Sequence, residues 1–389
     1  MDGVYVLGAA MTRFGRHLER SARDLVEEAV TGALEAAGIE TPAVEAVYVG
    51  NAVAGLMSGQ ESIRGQVVLR RTGLMGVPIV NVENACASSS TALHLGWQAV
   101  AAGARDCVLV VGFEKLCDED KAKSFRAFNA SMDLEELHER FGPDAGTGRS
   151  VFLDMYAEEA GESELDAEAL ALVSVKNHHH GALNPYSQFQ EEVTVEQVLG
   201  SRHVVGPLSV LMCSALGDGA AALVLCSDAF NRRHRGSPVR IAASVLTSGR
   251  GDDLTKRPAP ERAVEQAYEV AGVGPGDLDV VELHDATAIA ELHLYETLRL
   301  CEPGGAERLV RDRVTWLGGK LPVNPSGGLL ARGHPIGATG AAQVVELAWQ
   351  LESRCGPRQA HGARVALAQN AGGFVGTDAA ACAVHVLQV

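Results

Sequence analysis

Three residues of the chain have types and surroundings suited to covalent catalysis. Cys86 stands in NVENACASSSTALHLG (81–96), between an apolar strand-like run (Ile79, Val80, Val82) and a helix start near Ser88. A helix N-terminus offers unpaired N–H groups and a partial positive charge. Both lower a thiol pKa, and the thiolate is the nucleophile. A nucleophilic thiol needs a base within hydrogen-bond reach, and the second half supplies two imidazoles. His334 lies in the glycine-rich NPSGGLLARGHPIGATG (324–340), with Pro335 fixing the backbone just ahead of a helix start. His284 lies in VVELHDATA (280–288), beside Asp285, where an apolar strand ends. Strand C-terminal ends are where sites form in open α/β sheets. The other seven cysteines read as buried, inert thiols.

Two further motifs carry less. Successive residues of the His178-His179-His180 run point in different directions, and no Cys/His spacing of a zinc site accompanies it. It reads as a loop or helix start with one inward ring, and no metal site is expected. GDG and GATG fall short of G-x-G-x-x-G, so no dinucleotide site is indicated.

The elements that must position these residues occur twice. SARDLVEEAVTGALEAAG (21–38) reads as a helix, with an S-x-x-D cap signal at Ser21 and Asp24 and a stop at Gly38. A turn and a strand follow. PERAVEQAYEVAG (260–272) and VGPGDLDVVELHD (273–285) repeat the plan, setting Gly38 on Gly272, Val47 on Val281 and Asn51 on Asp285. The helix-then-strand pair 89–112 recurs as 338–352 followed by 362–373. The Val/Leu/Ala-rich strands predict a parallel-rich, layered α/β architecture built twice. A more charged, less regular region (roughly 115–200) separates the copies. GDGAAALVLCSD (217–228) reads as a returning strand of the first half, and 229–238 as the link to the second.

Bulk properties exclude some classes. The net charge of −16 and the absence of a Lys/Arg cluster argue against nucleic acid as a partner. NRRHRG (231–236) reads as a solvated linker. No apolar run is long enough to span a membrane. Isolated cysteines, no secretory leader and no peroxisomal tripeptide in AVHVLQV predict a reduced, cytoplasmic protein.

These stretches together resemble the thiolase superfamily, and within it the sterol-carrier-protein-type thiolases, over nearly the whole chain. NVENACASSSTAL is similar to the nucleophile motif, KNHHHGALNPYSQF (176–189) to the loop-domain signature, ELHDA to the His-Asp motif, and NPSGGLLARGHPIGATG to the Gly-His-Pro motif. The resemblance implies a duplicated five-layered αβαβα fold with an inserted loop domain. Its expected parts are 1–115 plus 200–230 for the N-terminal half, 116–199 for the loop domain, and 238–389 for the C-terminal half. It implies that Cys86 takes the acyl group as a thioester and that His334 polarises Cys86 and helps bind the thioester oxygen of the second acyl-CoA. His284 stands where many thiolases have an asparagine. The N–H groups of Cys86 and Gly372 would form a second oxyanion hole.

The chain departs from the family pattern at the second cysteine, which moves a proton at the substrate α-carbon. Its two usual positions hold Ala286 and Asn370. The acid/base must be another group, His284 or a water, and the Cys86–His284–His334 set resembles that of decarboxylating ketoacyl synthases. The function expected is CoA-dependent acyl transfer: thiolytic cleavage of a 3-oxoacyl-CoA, or the reverse condensation, in lipid or aromatic degradation. The alternatives are acylation of a non-CoA carbon acceptor and a non-catalytic subunit holding acyl-CoA or lipid. No cofactor is expected beyond CoA as substrate. Expected partners are a second copy of the chain in a homodimer or tetramer, built on the edge run PIVNVENA (78–85), and a small zinc-ribbon/OB-fold subunit.

Overall fold

The first helix forms where its caps predict. In the computed structural model, which describes residues 3–142, 150–163, 165–234, 236–251 and 253–389, it runs Ala22–Ala37. The Ser21 side chain accepts from Asp24 N while the Asp24 carboxylate accepts from Ser21 N, and Gly38 ends the helix at φ 67°. Its counterpart, Ala259–Ala271, ends likewise at Gly272, φ 68°. Residues 143–149 and 164 of the expected loop domain, and residue 235 of the expected link, lie outside the described residues.

The strands are β1 (Val4–Met11), β2 (Ala46–Gly50), β3 (Ile79–Val82), β4 (Cys107–Lys115), β5 (His203–Val205), β6 (Leu208–Ser209), β7 (Asp218–Ser227), β8 (Arg240–Ser248), β9 (Val280–Glu282), β10 (Val365–Val375) and β11 (Asp378–Gln388). β5 and β6 make a separate hairpin; the others join in the order β3-β2-β4-β7-β1-β8-β11-β10-β9. The order contains the duplication. β3-β2-β4-β7-β1 is one half, and β9-β10-β11-β8 the other, with Val323 bridging Val281 in parallel at the place β3 holds in the first. Within the sheet the halves join where Tyr5 pairs with Arg240 and Val6 N donates to Val239 O.

Each half is mixed, which corrects the parallel-rich expectation. β2 pairs in parallel with β3 and β4, and β9 with β10. The pairs β4–β7, β1–β7, β10–β11 and β8–β11 are antiparallel. The cause is chain routing. The inserted region carries the chain back for β7 to run against β4, and a turn at Gly376 folds β11 back along β10. Strands buried on both faces, such as β7, show the same continuous apolar run in either direction.

The helix Ser88–Ala101 packs on Thr339–Leu351, and each touches strands of both halves. Ala22–Ala37 packs on β1 and β7, and Ala259–Ala271 on β8 and β11. The result is five layers, with the helix pair in the middle. A Cβ on Gly340 would stand 1.9 Å from Ser90 Oγ, so the two helices approach this closely only because the residue is glycine.

The intervening region is helical, with Lys121–Asn129, Leu134–Phe141, Phe152–Ser163, Ala167–Ala182 and Val195–Leu199. The His178–His180 run ends a helix and sends two rings inward, not one: His178 and His180 are buried. His180 is bonded to Asn324 O and Leu317 N. Part of the expected link is itself a helix, Asp228–Arg233, capped by Ser227. Of the cysteines read as buried, Cys117, Cys213 and Cys301 are only partly so. Among the described residues no helix is long and apolar enough to cross a membrane.

Candidate active site

Cys86 sits in the 3₁₀ turn Ala85–Ala87 between β3 and the Ser88–Ala101 helix. Ala85 adopts φ 48°, a left-handed conformation unusual for a side-chain-bearing residue. Local hydrogen bonds hold it there. Ala85 N donates to Glu83 Oε1 (2.6 Å), Asn84 N to Ser88 Oγ (3.0 Å), and Ser88 Oγ to Ala85 O (2.6 Å). β10 closes over the turn: a Cβ on Gly372 would lie 2.2 Å from Asn84 O and 2.5 Å from Ala87 N. Glycine alone fits.

The second half delivers both imidazoles to this turn. The ligand atoms of Cys86, His284 and His334 all lie within 4.8 Å of one another, and all three residues are buried. A thiol and two imidazoles at this separation are also a donor set for a soft divalent ion. The two rings stand edge to face, with centroids 5.0 Å apart.

Buried ion pairs and amides position the loops that carry the rings. Asp285 accepts from Leu329 N (2.8 Å), Leu330 N (3.3 Å) and Asn177 Nδ2 (2.9 Å). A Cβ on Gly328 would lie 2.2 Å from the Asp285 carboxylate, so the Gly-Gly pair admits that carboxylate. The motifs at 177, 285 and 324–340 are thereby one assembly. Lys176 pairs with Glu291 at 2.5 Å, and Arg332 with Glu282 at 3.2 Å, all four fully buried. Glu114 ties the same loop to the first half, accepting from Gly337 N, Ala52 N and Asn51 Nδ2.

Hydrogen bonds assign the ring tautomers. Thr339 Oγ1 donates to Pro335 O (3.1 Å), so at 2.7 Å it accepts from His334 Nδ1. His334 Nε2 is then a lone pair, and it has no hydrogen-bond partner among the described residues. Ser90 Oγ donates to Asn370 Oδ1 (2.9 Å), which turns the Asn370 amide N–H toward His284 Nδ1 (2.8 Å). His284 therefore presents Nε2–H to the site. One ring offers an acceptor and the other a donor.

Charge is excluded at rest. Burial pushes the Cys86 thiol up to about 12, and the Glu114 and Glu83 carboxylates add to the rise. The N–H groups of Gly373 and of Cys86 itself oppose it. The expected lowering by a helix N-terminus is thus reversed: the cost of ionising a thiol in a dry turn exceeds what these donors return. Burial and the Arg332 charge hold His284 down at about 3. Burial, His284 and Arg332 hold His334 well below its ordinary value. All three groups are neutral near pH 7.

The thiol opens onto a cleft of about 690 Å³, counted to its open mouth, whose walls include Phe128, Phe152, Tyr156, Phe374 and Ala286. Sequence reasoning missed Thr339, Asn370 as a ring holder, Gly373, Glu114 and the aromatic wall. Only Thr339 had a usable signal, five residues after His334 at a helix start.

Comparison with known proteins identifies the chain's relatives. The family profile "Thiolase, N-terminal domain" matches residues 4–229, and "Thiolase C-terminal domain-like" matches 243–385. The chain is 40% identical to the acetyl-CoA acetyltransferase of Methanothermobacter thermautotrophicus over 391 residues, covering 99% of each. It is 39% identical to sterol carrier protein 2 of Gallus gallus, covering 95% of this chain and 69% of that one. It is 38% identical to the benzoylsuccinyl-CoA thiolase subunit BbsB of Thauera aromatica, covering 90% of each. Among solved structures, the Ltp2-ChsH2(DUF35) aldolase superposes with a TM-score of 0.80 at 23% identity, over 100% of this chain and 98% of that one.

Proposed function

The chain belongs to the thiolase family and is a CoA-dependent acyltransferase of thiolase type, and from that premise we propose that Cys86 carries the acyl group while His334 moves the proton. The observation that supports this is the convergence of one thiol and two oppositely polarised imidazoles on one cleft. In the cleavage direction, Cys86 Sγ attacks C3 of a 3-oxoacyl-CoA and its proton passes to His334 Nε2. The C2–C3 bond breaks, leaving acyl-Cys86 and the enolate of the departing acetyl-CoA. His334 returns the proton to C2. The thiol of CoA then attacks the thioester, giving acyl-CoA and the free Cys86 thiol. The N–H groups of Cys86 and of the Gly372–Gly373 segment face the oxygen that becomes negative at the thioester, and the Nε2–H of His284 faces the enolate oxygen. Such donors are typically worth about 10²–10³ in rate each.

This division gives His284 a different part from proton transfer. Its one lone pair is occupied by the Asn370 amide, so it lacks a free acceptor. His284→Ala should slow carbon–carbon cleavage by about 10²–10³ and largely spare loading of Cys86 from a simple acyl-CoA. His284→Asn should recover part of the loss, because an amide N–H replaces the ring N–H. Separate stopped-flow measurement of the two half-reactions checks this. Equal loss for Ala and Asn would return the proton to His284.

The direct test of the reading is intact-mass measurement after mixing with acetyl-CoA. A single acyl adduct is expected at Cys86. Bound CoA without an adduct would favour a non-catalytic acyl-CoA-binding role. The working form we propose is a homodimer. β3 is the sheet's edge strand, with Val80 exposed on it, and an unpaired edge invites a second chain. Light scattering should return twice the chain mass; an active monomer would remove this element. An accessory subunit carrying a zinc-ribbon/OB-fold is proposed as well, supported by the word "subunit" in the benzoylsuccinyl-CoA thiolase name and by ChsH2(DUF35) in that of the aldolase.

A further inference from the structure

Much of the cleft wall is apolar and aromatic, and Phe128 stands edge-on to His334 with ring centroids 6.0 Å apart. Four of the chain's nine phenylalanines line it: Phe125, Phe128, Phe152 and Phe374. Three of them interlock, with Phe128 edge-on to Phe152 at 5.2 Å and Phe152 on Phe374 at 5.6 Å. Tyr156 completes the wall, edge-on to Phe374 at 6.0 Å. Its ring continues the apolar surface, but its hydroxyl has no hydrogen-bond partner among the described residues. Of the other polar side chains lining the cleft, Ser150 already bonds Asn129 Oδ1 at 3.1 Å. The Ser214 hydroxyl has no hydrogen-bond partner among the described residues either, but it sits by the His284 loop, its backbone N bonded to Ala286 O.

A lone O–H in such a wall has a consequence for what can fill it. An open cleft leaves the phenol to solvent. An acyl group that enters displaces that solvent. If it presents only C–H groups, the phenol is left without a partner, which discriminates against it by about 10–100-fold. Burial and the neighbouring Glu159 and Cys86 keep the phenol protonated, so it acts as a donor.

We propose that Tyr156 selects acyl-CoA substrates carrying a hydrogen-bond acceptor on an otherwise apolar acyl group, beyond the carbonyls that react. The proposal rests on the thiolase reading of Cys86. Tyr156 is then a specificity-determining residue that touches substrate, and Phe125, Phe128, Phe152 and Phe374 hold the apolar remainder.

The test uses three acyl-CoAs of one skeleton: 6-phenylhexanoyl-CoA and its 4-oxo and 5-oxo forms. The readout is the rate of CoA release on loading Cys86, with the adduct verified by intact mass. The wild-type protein should load at least one oxo form about 10–100-fold faster than the parent. Tyr156→Phe, which removes only the hydroxyl, should abolish that preference by relieving the unpaired phenol, bringing the parent rate up toward that of the oxo form. Ser214→Ala should keep the preference. Equal rates for all three substrates in the wild type overturn the proposal, as does a Tyr156→Phe variant that slows all of them equally. A preference lost in Ser214→Ala and kept in Tyr156→Phe moves the role to Ser214 and also overturns it. No adduct from any of the three, nor from acetyl-CoA, would instead overturn the acyl-Cys86 reading.

Discussion

Replacing Cys86 by alanine leaves a folded protein that neither takes up an acyl group nor turns over. The turn tolerates the change because Cys86 is 3% exposed among small neighbours, and deleting one buried sulfur costs about 1–2 kcal/mol at most. The activity loss should be about 10⁴-fold or greater, the scale seen when a covalent nucleophile is removed while binding groups remain. Intact-mass spectrometry should show no adduct with any acyl-CoA, while CoA binding by calorimetry persists. Turnover at the wild-type rate would place the nucleophile elsewhere. Replacement of Cys226 or Cys382, both in buried strands, is the matched control and should leave turnover intact.

His334→Ala should be nearly as damaging, with a distinct pH signature. A thiol held up at about 12 is ionised only about once in 10⁴–10⁵ molecules at pH 7–8. It depends on a base to take its proton during attack. His334 Nε2 is an acceptor without a partner among the described residues, and removing it should lower acyl transfer by about 10²–10⁴-fold. The sign of the pH effect follows. In the wild type, burial and nearby positive charge hold the ring's titration on the acid side, so the acceptor is present throughout the neutral range and the rate should be level from pH 8 to 6. In the variant, attack waits on spontaneous ionisation, and the rate should rise about tenfold per pH unit from 7 to 10. A level profile in the variant would mean another base serves Cys86.

Much of this site was legible because single residues carry local signals. Cys86 is marked by its strand-to-helix junction. Ser21, Asp24, Gly38 and Gly272 mark helix ends by capping chemistry that acts within three residues. Strand direction was not legible, since β4 and β7 are buried along nearly their whole length and show no alternation to read. Nor were the groups that orient the catalytic set. Asn370 meets Ser90 across 280 residues, and Glu114 meets Gly337 across 223. Both contacts exist only after the two halves pack, so no window of sequence contains them. Tyr156 belongs to the same class: its neighbours in the chain are ordinary helix formers, and only the cleft sets its hydroxyl apart.

The buried, protonated state of Cys86 also bears on chemical durability. Peroxide and disulfide exchange act on thiolates, and an ionised cysteine climbs readily to sulfenic and then irreversible sulfinic acid. At rest this enzyme shows such oxidants almost no thiolate, although its turnover depends on a sulfur nucleophile. Reactivity arises only as an electrophile docks against the sulfur and the imidazole takes the proton. Oxidative inactivation should therefore track the time spent between substrates less than it would for a pre-ionised cysteine enzyme.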